Sequence, residues 1–252
     1  MITLNGHRTL ITGGSRGIGR AAAILFAEAG SDVAFNFHRN EKAALEVKEA
    51  VEARGRRCLM RRADLSRRDE AAALAAAVAD AWGGVDTLVN NHGIWTYLEM
   101  GKGDMDAWKE TMEVNLDGVF YLTDAVVPMM KARKAGNIIN VGSTAGIRGE
   151  AYHSHYAASK GAMNALTKSW SSELAPFGIR VNCVAPGWVD TDMSAGTFAD
   201  AAMRESIRQS IPLKRIPPAE DIAGPILFLA SPLARHITGA IINVNGGAVL
   251  CG

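Results

Sequence analysis

The chain is poor in cysteine, nearly neutral and without a long apolar run, and each lack closes off a class of protein. Its 252 residues include three cysteines, Cys58, Cys183 and Cys251, widely separated and without CxxC spacing. Neither a disulfide framework nor a metal site is expected from that pattern, and a reducing compartment suits it. A formal charge of +1 offers no basic excess for a nucleic-acid backbone, and the arginines between Arg54 and Arg62 are too local to supply one. No stretch reaches the about 18 apolar residues of a membrane span, and residues 1–8 show no basic start leading into an apolar stretch. A cytoplasmic protein, with neither nucleic acid nor membrane as partner, is expected.

What is present is enough apolar material for a sizeable core, with 48% hydrophobic and 21% charged residues. Short apolar runs alternate with longer segments of helical period, which predicts an α/β fold: a doubly wound parallel sheet with helices on both faces. Seven strands are expected at 8–12, 32–37, 57–62, 87–90, 137–142, 180–185 and 240–244. Helices are expected at 17–29, 41–54, 67–82, 105–134, 156–177 and 219–231. Nothing marks a linker, so residues 1–252 are read as one domain. Segment 190–212, a mixed-polarity helical insertion after a strand end, is expected to form a lid.

Gly13, Gly17 and Gly19 follow the first strand and open the first helix, with Ser15, Arg16 and Ile18 between them. Absence of a Cβ lets such a backbone approach a pyrophosphate, and the helix amino terminus offers free N–H groups. An acidic residue about 20 positions further on would select NAD through the ribose hydroxyls. Phe37 stands there instead, followed by His38 and Arg39. With Arg16 in the loop, this field suits a 2′-phosphate, so NADPH is expected over NADH.

Tyr156 and Lys160 stand four residues apart on one predicted helix, which places the ammonium beside the phenol. That neighbour is expected to lower the phenol pKa. A shift from about 10 towards neutrality needs roughly 3–4 kcal/mol of electrostatic help, which a lysine, cofactor charge and partial burial together could supply.

The set Thr12-Gly13-x3-Gly17-Ile18-Gly19, Asn90-Asn91-His92-Gly93, Asn115, Ser143, Tyr156-x3-Lys160 and Pro186-Gly187 resembles the short-chain dehydrogenase/reductase family, most closely its 3-oxoacyl-carrier-protein reductase type. The resemblance covers nearly the whole chain. It implies that Tyr156 protonates a carbonyl oxygen, that Ser143 fixes that oxygen, and that Lys160 holds the nicotinamide ribose. It implies that Asn115 anchors a relay water. Asp64 with Leu65 would meet the adenine, Asn91 and Gly93 the adenosine side, and Pro186, Gly187, Val189 and Thr191 the carboxamide end. His92 departs from the family's usual alanine, and its imidazole is expected to point harmlessly away.

Loops at the carboxyl strand ends offer Trp95, Tyr97, Ile147, Tyr152, His153, Trp188 and Met193, an aromatic and nearly uncharged lining. It suits a neutral ketone or an acyl chain. The leading expectation is reduction of a 3-oxoacyl thioester, with acyl carrier protein as a partner docked on Lys131, Arg133 and Lys134. Phe177 stands where similarity to that reductase type leads one to expect an arginine, so free ketones or secondary alcohols are the second reading. A non-catalytic NADP-binding regulator is the third. The long fourth and fifth helices, with the resemblance, imply a homotetramer.

Overall fold

The computed structural model describes residues 2–250, so Cys251 lies outside the described residues. Seven strands, β1 (Arg8–Ile11), β2 (Asp32–Phe37), β3 (Cys58–Arg62), β4 (Thr87–Asn90), β5 (Gly136–Val141), β6 (Ile179–Pro186) and β7 (Ile241–Val244), form one sheet in the order β3-β2-β1-β4-β5-β6-β7. Every pairing is parallel. Parallel neighbours need crossovers over the sheet faces, and helices provide them: α1 (Gly17–Glu28), α2 (Glu41–Glu52), α3 (Arg68–Trp82), α4 (Met105–Met112), α5 (Gly118–Arg133), α6 (Ala145–Arg148), α7 (Ser154–Leu174), α8 (Ala195–Phe198), α9 (Ala201–Ser210) and α10 (Glu220–Ala230).

Successive strand residues serve opposite faces. Leu10 joins Leu74, Leu122 and Met163 from α3, α5 and α7, while Ile11 joins Phe26, Val47 and Ile226 from α1, α2 and α10. Both faces are covered, which is why the strands are almost continuously apolar. Strand order reverses between β1 and β4, and a crevice opens at the carboxyl ends there.

The expected helix 105–134 is not continuous. A π-helical turn, Glu113–Asp117, separates α4 from α5. Asn115 lies within that turn, and both ends of its side-chain amide bond the backbone of Ile94: Ile94 N–H donates to Oδ1 at 2.7 Å, and Nδ2 donates to Ile94 O at 2.9 Å. The expected helix 156–177 begins earlier, at Ser154, and closes in a 3-10 turn, Ala175–Phe177. Gly178 stops it at φ 70°, where a Cβ would lie 2.4 Å from Lys134 O. Segment 190–212 folds as α8 and α9 around a small core of Phe198, Ile207 and Ile211, with Trp188 and Ile216 against it.

Candidate active site

The glycine loop is built for close approach. Gly13 and Gly17 have φ of 64° and 50°, a region residues with a Cβ enter at a cost. A Cβ on Gly19 would stand 2.3 Å from Gly13 O, so Gly19 underpins the loop rather than facing the cleft. Arg16, the residue preceding α1, makes no side-chain cap, and the first-turn N–H groups are left for an anionic ligand. Thr12 organises the turn from below: its hydroxyl accepts from Asn91 N–H at 2.8 Å and His92 N–H at 3.0 Å. Asn36 adds a brace, accepting from Gly13 N–H at 2.9 Å and donating to Ala63 O at 3.0 Å. The His92 ring turns beneath the loop, with Nδ1 2.8 Å from Thr12 Oγ1. Burial, with Lys160 nearby, lowers its pKa to about 4, so it is neutral.

At the other end Ser143, just beyond β5, and Tyr156 and Lys160, on α7, line the same cleft. Lys160 Nζ donates to Val141 O at 2.9 Å and lies 5.9 Å from the Tyr156 ring centroid. The expected acidified phenol is not found. Burial pushes Tyr156 up to about 12, with Ser143 pulling the other way and the Glu150 carboxylate adding to the rise. Burial also brings Lys160 down to about 8, so the ammonium that was to act on the phenol is still mostly charged at pH 7 and is lost as pH rises past 8. Asn115 is fully buried behind them and bonds Ser159 Oγ at 3.2 Å besides Ile94. A Cβ on Gly93 would lie 3.1 Å from Asn115 Oδ1 and 3.4 Å from Lys160 Nζ, so all three meet at one point.

Between the two ends runs a cleft of about 640 Å³ that brings together Gly13, Ser15, Arg16, Gly17, Ile18, His38, Arg39, Asp64, Leu65, Asn91, Gly93, Pro186, Gly187, Val189 and Thr191 with Ser143, Tyr156 and Lys160. Gly19 and Asn115 are the expected site residues that support it without lining it. The residues fit an extended dinucleotide: a glycine cradle and open helix terminus for phosphate at one end, and hydroxyl and ammonium groups at the other. No carboxylate stands at the end of β2. Arg16 reaches across to Asp192 at 3.1 Å, and the Thr191 methyl carbon would touch a Cβ on Gly17 at 3.4 Å, so segment 190–212 rests on the loop. Asp64 is held below the usual carboxylate range: desolvation opposes this, but two hydrogen bonds from Ser66 and the His38 ring outweigh it.

The mouth is aromatic in part: Trp95, Trp188 and Met193 line the cleft as expected, whereas Tyr97, Ile147, Tyr152 and His153 are not among its lining residues. Trp95 stacks on His153 at 4.3 Å and meets Trp188 edge-on at 5.7 Å, and Tyr97 stacks on Tyr152 at 5.5 Å. It is not nearly uncharged, however, because Arg148 and Glu150 also line it. Both follow Ser143 on the short helix α6 and its exit, which the apolar pattern did not reveal. Gly146 was also unforeseen. A Cβ there would lie 2.4 Å from the Lys160 carbonyl carbon, so α6 sits in backbone contact with α7.

Comparison with known proteins agrees with this geometry. The family model described as enoyl-(acyl carrier protein) reductase matches residues 13–249. A 3-oxoacyl-[acyl-carrier-protein] reductase of Synechocystis sp. is 38% identical over 251 residues, 99% of this chain and 100% of that one. An L-rhamnose 1-dehydrogenase (NAD(P)(+)) of Sphingomonas sp. is 36% identical over 248 residues, 98% of each chain. The solved structure of a Brucella melitensis protein, named short-chain dehydrogenase/reductase and glucose/ribitol dehydrogenase, superimposes with a TM-score of 0.92 at 32% identity over 99% of both chains. With the dinucleotide cleft, the Ser143, Tyr156 and Lys160 group and these full-length similarities together, the chain belongs to the short-chain dehydrogenase/reductase family and is an NAD(P)-dependent oxidoreductase.

Proposed function

We propose that this protein is an NADPH-dependent reductase that converts a carbonyl group to a hydroxyl. The convergence of Ser143, Tyr156 and Lys160 on the end of a glycine-loop cleft carries the reading. A bound nicotinamide dinucleotide supplies the hydride. Ser143 donates a hydrogen bond to the carbonyl oxygen and fixes it, and Tyr156 gives that oxygen its proton. A phenol near 12 stays protonated throughout the physiological range, as an acid for reduction must. Lys160 holds the ribose hydroxyls, and Asn115 keeps the Gly93–Ile94 backbone in place behind it. Segment 190–212, latched by Arg16 and Asp192, serves as the lid.

NADPH is favoured by Arg16 in the glycine loop, by Arg39 just beyond β2 and by Phe37 at the end of β2 in place of a carboxylate. The Synechocystis relative is named for 3-oxoacyl thioesters on a carrier protein. One observation favours a free carbonyl compound instead: the Lys131 ammonium, offered above for carrier docking, lies 4.7 Å over the Phe177 ring and is engaged there. The complete Ser143, Tyr156 and Lys160 group speaks against a regulator without turnover. Exposed Phe120 on α5, 6.2 Å from the Trp170 ring of α7, supports pairing of these helices between subunits in a homotetramer, which light scattering tests.

The test is NADPH oxidation followed at 340 nm against thioester, free ketone and sugar carbonyls. Wild type reduces at least one of them, and Tyr156→Phe loses at least a thousandfold in kcat while still binding NADPH. Retained turnover in Tyr156→Phe would refute the assignment.

A further inference from the structure

The catalytic group explains the inner cleft but leaves several charged side chains that line it without a task, Glu110, Glu113, Arg148 and Glu150 among them. Arg148 closes α6 and Glu150 follows Gly149, whose φ is 76°. Both line the cleft. Among the described residues, neither forms an ion pair with any group, including the other, and neither side chain makes a hydrogen bond within the protein. Glu150 is half-buried, and its charge reaches the Tyr156 phenol. A carboxylate that lines the cleft with Tyr156 repels an anionic substrate and costs desolvation whenever an apolar one covers it.

Beside these charges stands a rigid platform. His153 Nδ1–H donates to Thr96 O at 2.6 Å, which locks the imidazole that stacks on Trp95 at 4.3 Å with an interplanar angle of 18°. Trp188 closes the corner edge-on at 87°. The remaining indole surface of half-buried Trp95 lines the cleft. An aromatic face is electron-rich and attracts polarised C–H groups such as those on carbons that bear oxygen.

An aromatic wall, one carboxylate and one guanidinium, all lining the same cleft as Tyr156, select for a ligand with a flat C–H face and a rim of hydroxyls. We infer that the substrate is a polyhydroxylated carbonyl compound or its polyol, of the sugar or cyclitol class, stacked on Trp95 with hydroxyls donating to Glu150 and accepting from Arg148. This rests on the carbonyl–hydroxyl oxidoreductase reading above and names its substrate. An aryl ketone could share the platform but would leave both charges unanswered. A simple acyl chain would answer neither charge.

The holoenzyme tests this in two independent ways. Steady-state rates are measured with NADPH or NADP+ on aldoses, ketoses, cyclitols and pentitols, beside acetophenone and acetoacetyl-N-acetylcysteamine. At least one polyhydroxylated compound is expected to exceed both comparison ketones in kcat/KM by a hundredfold or more. Glu150→Gln and Trp95→Ala should each reduce that preference at least tenfold, chiefly through KM. Saturation-transfer NMR on NADP+-loaded wild type should show the preferred polyhydroxylated compound, or failing turnover the sugars of the panel, bound through its ring C–H groups, and Glu150→Gln should weaken the effect. Preference for acetophenone or the thioester overturns the inference while leaving carbonyl reduction in place. Turnover of nothing, with sugar saturation transfer intact, overturns the reductase reading and not the sugar site. Absence of saturation transfer from every sugar and cyclitol overturns the site itself.

Discussion

Lys160 Nζ is 2.9 Å from Val141 O and 5.9 Å from the centre of the Tyr156 ring, so the ammonium is bound to backbone rather than to the phenol it follows by one turn. Burial has lowered its pKa to about 8, and an arriving anionic dinucleotide restores a counter-charge. Binding should therefore take up protons, with the uptake greatest between pH 8 and 9 and small at pH 6.5. Calorimetry in buffers of different ionisation enthalpy measures it directly. Lys160→Met should abolish the uptake, and equal uptake in that variant would assign the proton elsewhere. The same depression acts on stability: between pH 8 and 10.5 the unfolded chain binds the extra proton, so this group makes folding more favourable as pH rises across that window.

The proposed NADPH preference turns on Arg16, which pairs with Asp192 at 3.1 Å while both are more than half exposed. An exposed pair contributes only about 0–1 kcal/mol. Releasing it costs little, and Asp192→Asn should lower the KM for NADPH by up to about fivefold. Arg16→Ala should raise that KM at least tenfold and leave the KM for NADH within about twofold. Equal losses with both dinucleotides would place Arg16 on the shared pyrophosphate and remove it from the choice of 2′ group.

Gly146 and Gly161 face each other across the contact between α6 and α7, but unequally. A methyl at 146 would meet Lys160 backbone carbon at 2.4 Å and Gly161 nitrogen at 2.6 Å, whereas one at 161 would stand 3.3 Å from Gly146 O. Backbone cannot rotate aside, so Gly146→Ala must push α6 off α7, at about 1–3 kcal/mol for overpacking. It should also displace Lys160 and cut kcat at least tenfold. Gly161→Ala, in mid-helix, should cost far less, since alanine's helix preference of about 1 kcal/mol over glycine offsets the tight 3.3 Å approach to Gly146 O. Similar melting temperatures for the two variants would show that the contact is looser than its geometry.

How much of this was legible in the sequence differs by element. The seven strands and the glycine loop were, because a sheet buried on both faces leaves unbroken apolar runs and a phosphate cradle leaves glycines at fixed spacing. Tyr156 and Lys160 declared themselves through helical spacing. The π turn at Glu113–Asp117 did not, because its cause is the long-range bonding of Asn115 to Ile94, which leaves no mark on the local pattern. For the same reason Gly146 looked like an ordinary loop glycine, and the phenol pKa could not be read from a lysine four residues away without knowing how deeply both are buried. Nothing in the sequence pattern marks Arg148 and Glu150, because α6 is too short to show a period.

His92, standing where the family usually has alanine, adds a pH dependence that such a relative would lack. Its Nδ1 is tied to Thr12 Oγ1 at 2.8 Å, and burial holds its pKa near 4 against 6.5 for an unhindered imidazole. Since the folded pKa is depressed, the unfolded chain takes up the proton first: the contribution is intact above pH 6.5 and is lost as pH falls towards 4. The slope attributable to one such group is at most about 1.4 kcal/mol per pH unit. His92→Ala should be less stable at pH 7 through the lost packing, by about 1–2 kcal/mol. Yet it should lose less between pH 6.5 and 4, because carboxylates titrate alike in both proteins and the imidazole alone differs. Thermal melts of the two proteins across that range decide it, and parallel curves would mean that the ring can protonate in place without strain.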